Sequence, residues 1–266
     1  MHSEVFIKMN NIQWYPGHMA KAKREIREIL RFVDIVVIIG DARLPFSSFN
    51  ADINEIIGNK PFIYALNKSD LAEDTQLKKW IEYYKEKGIA AIPICAIDGK
   101  GFGELKMAIN NKVTRKPIRI LVAGCPNTGK SAFINKFAGR ASMEVKNYAG
   151  VTKKQQWIKV RDEAQNYDLL DTPGILPPKF ETNEQGEKLA WIAAIKEDIL
   201  DKVEISVNLC GFIYNIEDAT ERYEKFLEIG KEKGCLLHKG EIDEERTAKA
   251  ILGDFRSGKL GKVTLE

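Results

Sequence analysis

The chain of 266 residues lacks the features that mark membrane and secreted proteins. It contains no apolar run of about 18 residues, the length that a transmembrane helix needs. Its first residues lack the apolar centre and small-residue cleavage site of a signal peptide. Its four cysteines show neither a close pair nor metal-ligand spacing. We therefore expect reduced thiols, a cytoplasmic location and no membrane partner.

The sequence also lacks repeats and low-complexity segments, and its charge is unevenly distributed. The formal net charge is +3, but residues 177–266 contain 19 acidic and 14 basic side chains, which leaves +8 on residues 1–176. A basic first part is compatible with a polyanionic partner such as RNA. Solvated, lysine-rich helix faces would produce the same imbalance, so charge alone leaves both interpretations open.

Apolar runs alternate with amphipathic segments through the first two thirds of the chain. The amphipathic segments have helical spacing, as in "AKAKREIREILRFV" and "TQLKKWIEYYKEKG". The alternation predicts an α/β fold with a mostly parallel sheet and helices on both faces. The predicted strands are "DIVVIIG", "PFIYALN", "IAAIPICA", "PIRILVAG", "QQWIKV" and "NYDLLD".

A proline pair at residues 177 and 178 marks the point at which the alternation of strand and helix patterns ends. The segments beyond it are helical in pattern: "NEQGEKLAWIAAIKEDIL", "DATERYEKFLEIGKEKG" and "DEERTAKAILGDFRSG". We therefore predict two domains: residues 1–176, with an N-terminal helical extension, and a small all-helical domain over residues 177–266.

The segment "GCPNTGKS", residues 124–131, matches the phosphate-binding P-loop pattern between a predicted strand and a helix. Such loops bring backbone N–H groups and a helix N-terminus to the phosphates. Lys130 is expected to reach the outer phosphates and the Ser131 hydroxyl to bind Mg²⁺. The remaining loop residues expected at the nucleotide are Asn127, Thr128 and Gly129.

Two further segments have residues that are suited to binding a nucleoside triphosphate. "DTPG", residues 171–174, ends a predicted strand, so Asp171 is expected to hold Mg²⁺ and the Gly174 N–H to bond the outermost phosphate. Thr152 lies between this segment and the P-loop, where its hydroxyl would bind Mg²⁺ when the third phosphate is present. A D-x-x-G segment and a loop threonine are each common, so both predictions depend on their location.

The segment "NKSD", residues 67–70, suits recognition of guanine. The Asp70 carboxylate accepts hydrogen bonds from the base N1–H and exocyclic amine, which adenine cannot offer. Asn67 would support the neighbouring loops and the Lys68 stem would cover the ring. In "CAIDGKG", after the third strand, Cys95 and Ala96 are further candidates, with the Ala96 N–H meeting the guanine O6. A turn that caps the next helix is the alternative for "NKSD".

These elements occur in a rotated order, because "NKSD" precedes the P-loop. With "WYPGHMAKA", "DARLPFSSFN" and "FRSGKLGK", the sequence resembles the ribosome biogenesis GTPase A family of circularly permuted GTPases. The resemblance implies a permuted Ras-like P-loop domain, GTP hydrolysis stimulated by the large ribosomal subunit, and a helical domain that contacts RNA. The family usually has Ser where this chain has Cys95, which makes that loop the least secure part of the match.

The resemblance also suggests roles that spacing alone does not provide. A Gln orients the attacking water in Ras-like enzymes, but the matching position here is Ile175, so His18 becomes the candidate catalytic residue. Capping the following helix or contacting RNA are its alternatives. Asn127 would bind K⁺ beside the phosphates, unless it only supports its own turn.

The partners expected are GTP or GDP and the large ribosomal subunit, with the protein itself a monomer. An RNA-binding module that holds GTP only as a structural ligand is the competing function. The helical domain is net acidic, so we expect RNA contact there only from local basic groups such as Arg256, Lys259 and Lys262.

Overall fold

The structure of the protein is a computed structural model. It describes residues 24, 26–49, 56–139, 144–146, 157–161, 165–172, 182–195, 200–238 and 240–266. These residues form two compact units: those up to residue 172 together with 264–266, and those from 182 to 263. The predicted domain boundary at residue 177 lies outside the described residues and stays a prediction.

The first unit contains a seven-stranded sheet. Its strands are β1 (Ile35–Asp41), β2 (Phe62–Asn67), β3 (Ala91–Pro93), β4 (Ile118–Gly124), β5 (Glu144–Lys146), β6 (Trp157–Arg161) and β7 (Asn166–Asp171). Their spatial order is β3-β2-β1-β4-β7-β6-β5. The strands β3, β2, β1, β4 and β7 pair in parallel, whereas β6 and β5 are antiparallel to their neighbours. This confirms the predicted mostly parallel sheet.

Apolar side chains cover both faces of this sheet. All seven residues of β1 are buried, as expected for a strand between two helical layers. One core cluster includes the predicted helical positions Ile26, Ile29, Leu30 and Val33. The other cluster contains the apolar faces of the helices that follow β3 and β4. The helices of this unit are α1 (Asp74–Glu86), α2 (Phe102–Lys112) and α3 (Lys130–Ala138), and a helical segment at residues 26–30 precedes β1.

The described residues of the second unit form helices and one isolated antiparallel β-bridge between Leu236 and Ile242. The helices are α4 (Asn183–Trp191), α5 (Lys202–Tyr214), α6 (Ala219–Glu232) and α7 (Glu244–Ser257). The carboxylates of Asp201, Asp218 and Asp243 accept hydrogen bonds from N–H groups in the first turns of α5, α6 and α7. These caps satisfy donors that a helix leaves unpaired at its start.

Two expectations for this unit were wrong or incomplete. The helix predicted through residue 200 ends at Trp191, because Ala193 adopts a φ of +60° and its N–H and that of Ala194 bond back to Ala190 and Leu189. Helix α5 was not predicted at all. Its apolar residues occur on all sides of the helix, so it lacks the amphipathic pattern that revealed the other helices.

No helix among the described residues has the length and apolar character needed to cross a lipid bilayer.

Candidate functional site

The loop between β4 and α3 packs directly against neighbouring strands. Gly124 has a φ of +143°, and a Cβ there would lie 2.2 Å from the Ile39 carbonyl oxygen. Gly129 has a φ of +94°, and a Cβ there would lie 2.3 Å from the Asn67 Nδ2. Both positions therefore need glycine for the backbone conformation and for the close approach. The P-loop and the "NKSD" segment consequently meet at the carboxyl edge of the sheet.

Asn67 connects the three loops at this edge. It is the last residue of β2 and is buried. Its Nδ2 donates to the Thr128 carbonyl of the P-loop at 2.8 Å, and its Oδ1 accepts from the Ala96 N–H at 3.0 Å. One side chain thus holds the loops after β2, β3 and β4 in a common arrangement.

Lys68 makes a second connection to the P-loop. Its Nζ donates to the Asn127 carbonyl oxygen at 2.9 Å. Lys68 and Asn127 both adopt left-handed backbone conformations, with φ of 61° and 58°. Such conformations cost non-glycine residues energy and are concentrated at functional sites.

Asp70 lies on the turn that follows Lys68, and its side chain is exposed. Helix α1 begins only at Asp74, its N-cap residue is Glu73, and no side chain caps it through a hydrogen bond. The capping alternative for "NKSD" is therefore wrong, and the Asp70 carboxylate is not used as a cap.

The Ala96 loop differs in detail from the sequence expectation. The Ala96 N–H, predicted to meet the guanine O6, donates to Asn67. If the Ala96 N–H also contacted the guanine O6, it would have to share its single hydrogen between that oxygen and Asn67. The neighbouring Cys95 is buried, and burial raises the pKa of its thiol, which suits a neutral side chain in place of Ser.

The P-loop side chains divide between the interior and the site. The Thr128 hydroxyl is buried and lies within hydrogen-bond distance of the carbonyls of Ile39 and Cys125, to either of which it can donate, so its backbone is the part that faces the site. Lys130 Nζ donates to the carbonyls of Cys125, at 2.7 Å, and Gly124, at 3.3 Å. Its ammonium therefore lies over the loop, where it neutralises carbonyl dipoles.

The charged groups at this end of β4 and β7 influence one another. Burial lowers the pKa of the Lys130 amine, while Cys125 and Asp171 act in the opposite direction. Burial raises the pKa of the Asp171 carboxyl, and Lys130 and the Thr172 N–H offset part of this effect. Since each group affects the other, the predicted phosphate-binding cation and the predicted metal ligand lie close together.

These residues fit a magnesium ion that is held jointly with phosphates. Mg²⁺ is usually bound through one or two carboxylates and substrate oxygens, with water in its other positions. Asp171 ends β7 and pairs in register with Val122 of the P-loop strand, while Ser131 lies in the first turn of α3. The part of the chain that the structure describes contains no cluster of three or more His, Cys, Asp or Glu that would hold a metal by itself.

Sequence analysis missed Asp41 and Arg43 as components of the site. Asp41 ends β1, pairs in register with Asn67 and receives Lys68 Nζ at 2.8 Å. The buried Arg43 holds the same carboxylate. The signal was present in "DARLPFSSFN", because a carboxylate directly after a buried parallel strand lies at the same edge as the other loops.

Three candidate residues lie outside the described residues: His18, Thr152 and Gly174. The C-terminal cations Arg256, Lys259 and Lys262 all lie in the second unit. Arg256 does not present a free guanidinium, because it donates to the carbonyls of Trp191 and Ala190 at the end of α4. Lys259 lies 3.4 Å from the Asp254 carboxylate. These contacts weaken the case for an RNA-binding patch built from these side chains.

Comparisons with known proteins agree with this geometry. The family model described as 50S ribosome-binding GTPase matches residues 119–238. The match begins at β4, the P-loop strand, and leaves the "NKSD" segment upstream of it, as a permuted chain requires.

Related proteins match almost the whole chain. Ribosome biogenesis GTPase A of Bacillus cereus is 44% identical over 279 residues, which cover 96% of this chain and 93% of that protein. Mitochondrial ribosome-associated GTPase 1 of Mus musculus is 31% identical, with 96% and 90% covered. The crystal structure of GNP-bound YlqF from T. maritima superposes with a TM-score of 0.69 at 31% identity, covering 92% of this chain and 97% of that one.

Proposed function

Because the chain belongs to the ribosome biogenesis GTPase A family, we propose that it binds and hydrolyses GTP at the carboxyl edge of its sheet, as a switch in assembly of the large ribosomal subunit. The observation that carries this proposal is the position of Asn67. Its side chain joins the "NKSD" segment, the Ala96 loop and the P-loop through two hydrogen bonds. Base recognition and phosphate binding are thereby held in one site, although the chain order of their motifs is rotated.

Guanine specificity is assigned to Asp70. The carboxylate is exposed at the turn beyond Lys68 and is not used to cap α1. It is available to accept from the guanine N1–H and exocyclic amine, whereas adenine would leave it unpaired. A site that depends on such hydrogen bonds can discriminate by a factor of about 10⁴ or more. Lys68, held beside the P-loop, covers the ring of the base.

The triphosphate is assigned to the P-loop, with its charge balanced by Lys130 and Mg²⁺. The N–H groups of Asn127 to Ser131 surround the phosphates at the start of α3, where the helix dipole favours an anion. Among the described residues, Ser131 and Asp171 would hold Mg²⁺, and Thr152 and Gly174 complete the switch. When bound, Mg²⁺ neutralises charge on the phosphate oxygens.

The remaining assignments extend the switch to its partners. His18 polarises the attacking water, because Ile175 cannot do so, and Asn127 binds K⁺ beside the phosphates. The helical unit contacts the large subunit, which stimulates turnover. The protein acts as a monomer in the cytoplasm.

The direct test measures GTP turnover by the purified protein with and without large ribosomal subunits. We expect slow hydrolysis by the protein alone and faster hydrolysis with subunits. Sedimentation with subunits in GTP, GDP and a non-hydrolysable analogue should show strongest association in the triphosphate state. Binding of GTP without turnover in either mixture would support a structural ligand and contradict the proposed switch.

A further inference from the structure

A buried carboxylate lies directly behind the proposed base site. Asp41 is completely buried and Arg43 is 1% exposed. Arg43 Nε donates to Asp41 Oδ1 at 3.0 Å and Arg43 Nη2 to Oδ2 at 2.9 Å, which is the bidentate geometry that fixes both partners. The Arg43 backbone N–H donates to Oδ1 as well, at 3.1 Å. The carboxylate therefore has a single well-defined position.

A further partner of the Asp41 carboxylate is a residue of the proposed nucleotide site. Lys68 Nζ donates to Asp41 Oδ2 at 2.8 Å and to the Asn127 carbonyl at 2.9 Å. These two acceptors lie on different loops, so together they determine the path of the Lys68 stem. A long, flexible lysine side chain loses rotamer entropy when it is ordered. Asp41 removes much of that freedom before a nucleotide arrives.

The last three residues hold the loop that carries Arg43. The Leu265 N–H donates to the Arg43 carbonyl at 2.8 Å. The Glu266 carboxylate accepts from the backbone N–H groups of Phe46, at 2.7 Å, and Ser47, at 3.1 Å, and also from the Ser47 hydroxyl. All these residues belong to the first unit.

The same three residues also hold the helix that follows "NKSD". The Thr264 hydroxyl oxygen accepts from the N–H of Glu73, the N-cap residue of α1, at 3.0 Å. Trp80 Nε1, on α1, donates to the Glu266 backbone oxygen at 3.2 Å. The segment 264–266 thus joins the loop after β1 to the helix after β2, and both flank Lys68.

We propose that Asp41 is a positioning residue that holds Lys68 over the guanine base, and that residues 264–266 keep the Arg43 loop and Asp41 in place. The inference rests on the proposed guanine site. It assigns a contribution to nucleotide affinity to a buried carboxylate and to the segment 264–266, both of which act through Lys68.

A double-mutant cycle tests the first part. Asp41→Asn should weaken GDP and GTP binding by about 10- to 100-fold, the range for loss of a hydrogen bond to a charged group. The loss should appear in nucleotide affinity, because the variant displaces the Lys68 stem and not a contact to the reacting phosphate. In a Lys68→Ala background Asp41→Asn should change affinity by less than about twofold, since the residue through which it acts is gone.

Matched variants separate positioning from general destabilisation. Asp168 is also a buried aspartate, paired with Arg161 on the sheet away from the P-loop, so Asp168→Asn should lower thermal stability without changing GDP affinity. Asp41→Asn leaves the buried Arg43 without its carboxylate. The double variant Asp41→Asn/Arg43→Leu removes both charges, and it should retain the affinity loss in a more stable protein.

Glu266→Ala tests the C-terminal segment. We expect GDP affinity to fall by about 3- to 10-fold, a part of the Asp41 effect, with no further fall when Asp41→Asn is already present. Unchanged affinity in Glu266→Ala would overturn the role of the segment. An equal loss for Asp41→Asn with and without Lys68 would overturn the positioning role.

The base-site assignment is tested separately by Asp70→Asn with xanthine nucleotides. If that switch fails while the Asp41–Lys68 coupling appears, the proposed guanine contact is wrong and the positioning inference stands. If the switch succeeds and the coupling is absent, only the positioning inference fails.

Discussion

Replacement of Gly129 by Ala tests the junction between the P-loop and the "NKSD" segment. The new Cβ would lie 2.3 Å from Asn67 Nδ2, at a residue with φ of +94°. The Asn67 amide donates to the Thr128 carbonyl and accepts from the Ala96 N–H, so moving it disturbs both hydrogen bonds. The substitution therefore combines backbone strain with loss of the contacts that join three loops.

The magnitude follows from these two contributions. A left-handed backbone conformation costs a residue with a Cβ about 1–2 kcal/mol, and leaving a buried polar group unsatisfied costs about 1–3 kcal/mol. We expect Gly129→Ala to lower the free energy of unfolding by about 2–5 kcal/mol in total. These contacts lie within the protein and do not require a nucleotide, so we would measure the free energy of unfolding in urea without nucleotide.

The Asn67→Ala background makes the test specific. Without the amide the steric conflict disappears, so the penalty of Gly129→Ala should fall to the strain alone, about 1–2 kcal/mol. Gly103→Ala is the matched control, because a Cβ at this helical glycine has no atom within 4 Å. It should be neutral or stabilise by up to about 1 kcal/mol. An equal penalty for Gly129→Ala in both backgrounds would refute the reasoning.

Four further predictions address the nucleotide and the pH dependence. Asp70→Asn should weaken the binding of guanine nucleotides by about 1.5–3 kcal/mol and strengthen the binding of xanthine nucleotides. An unchanged guanine preference in a competition titration would contradict the assignment. Hydrolysis should be faster in K⁺ than in Na⁺ at equal ionic strength, and equal rates would remove Asn127 from the K⁺ role. His18→Ala should slow hydrolysis by about 10²-fold or more with GTP affinity nearly unchanged, whereas wild-type turnover on the large subunit would argue against catalysis by His18. Burial alone would raise the pKa of Asp41, but Lys68 and Arg43 hold it well below the usual 3.8, so its contribution to stability is present at neutral pH and is lost in acid. The difference in unfolding free energy between wild type and Asp41→Asn should therefore narrow below about pH 4, and a difference that is constant down to pH 2 would exclude this charge pair as its source.

Some structural elements could be predicted from the residues nearby in the sequence, and others could not. The P-loop and the strand ends were predictable because glycine pattern and apolar runs act over a few residues. Helix α5 was not predicted, because apolar residues occur on all its sides and leave little amphipathic periodicity. The end of α4 at Trp191 depends on the left-handed conformation of Ala193. An alanine at this position gives no signal of a helix end in the sequence, whereas a glycine would. Tertiary packing overrides propensity at such positions.

By itself the sequence determined the order of the motifs and the α/β alternation, because both follow from short-range patterns along the chain. It also carried the family resemblance, which the comparisons confirmed. Only the tertiary structure decided that Asn67 joins three loops and that Arg43 and Lys68 share the carboxylate of Asp41. It likewise placed residues 264–266 against residues more than 180 positions earlier. The physical reason is that hydrogen bonds at the edge of a parallel sheet depend on which strands become neighbours, and strand order in space is independent of distance along the chain.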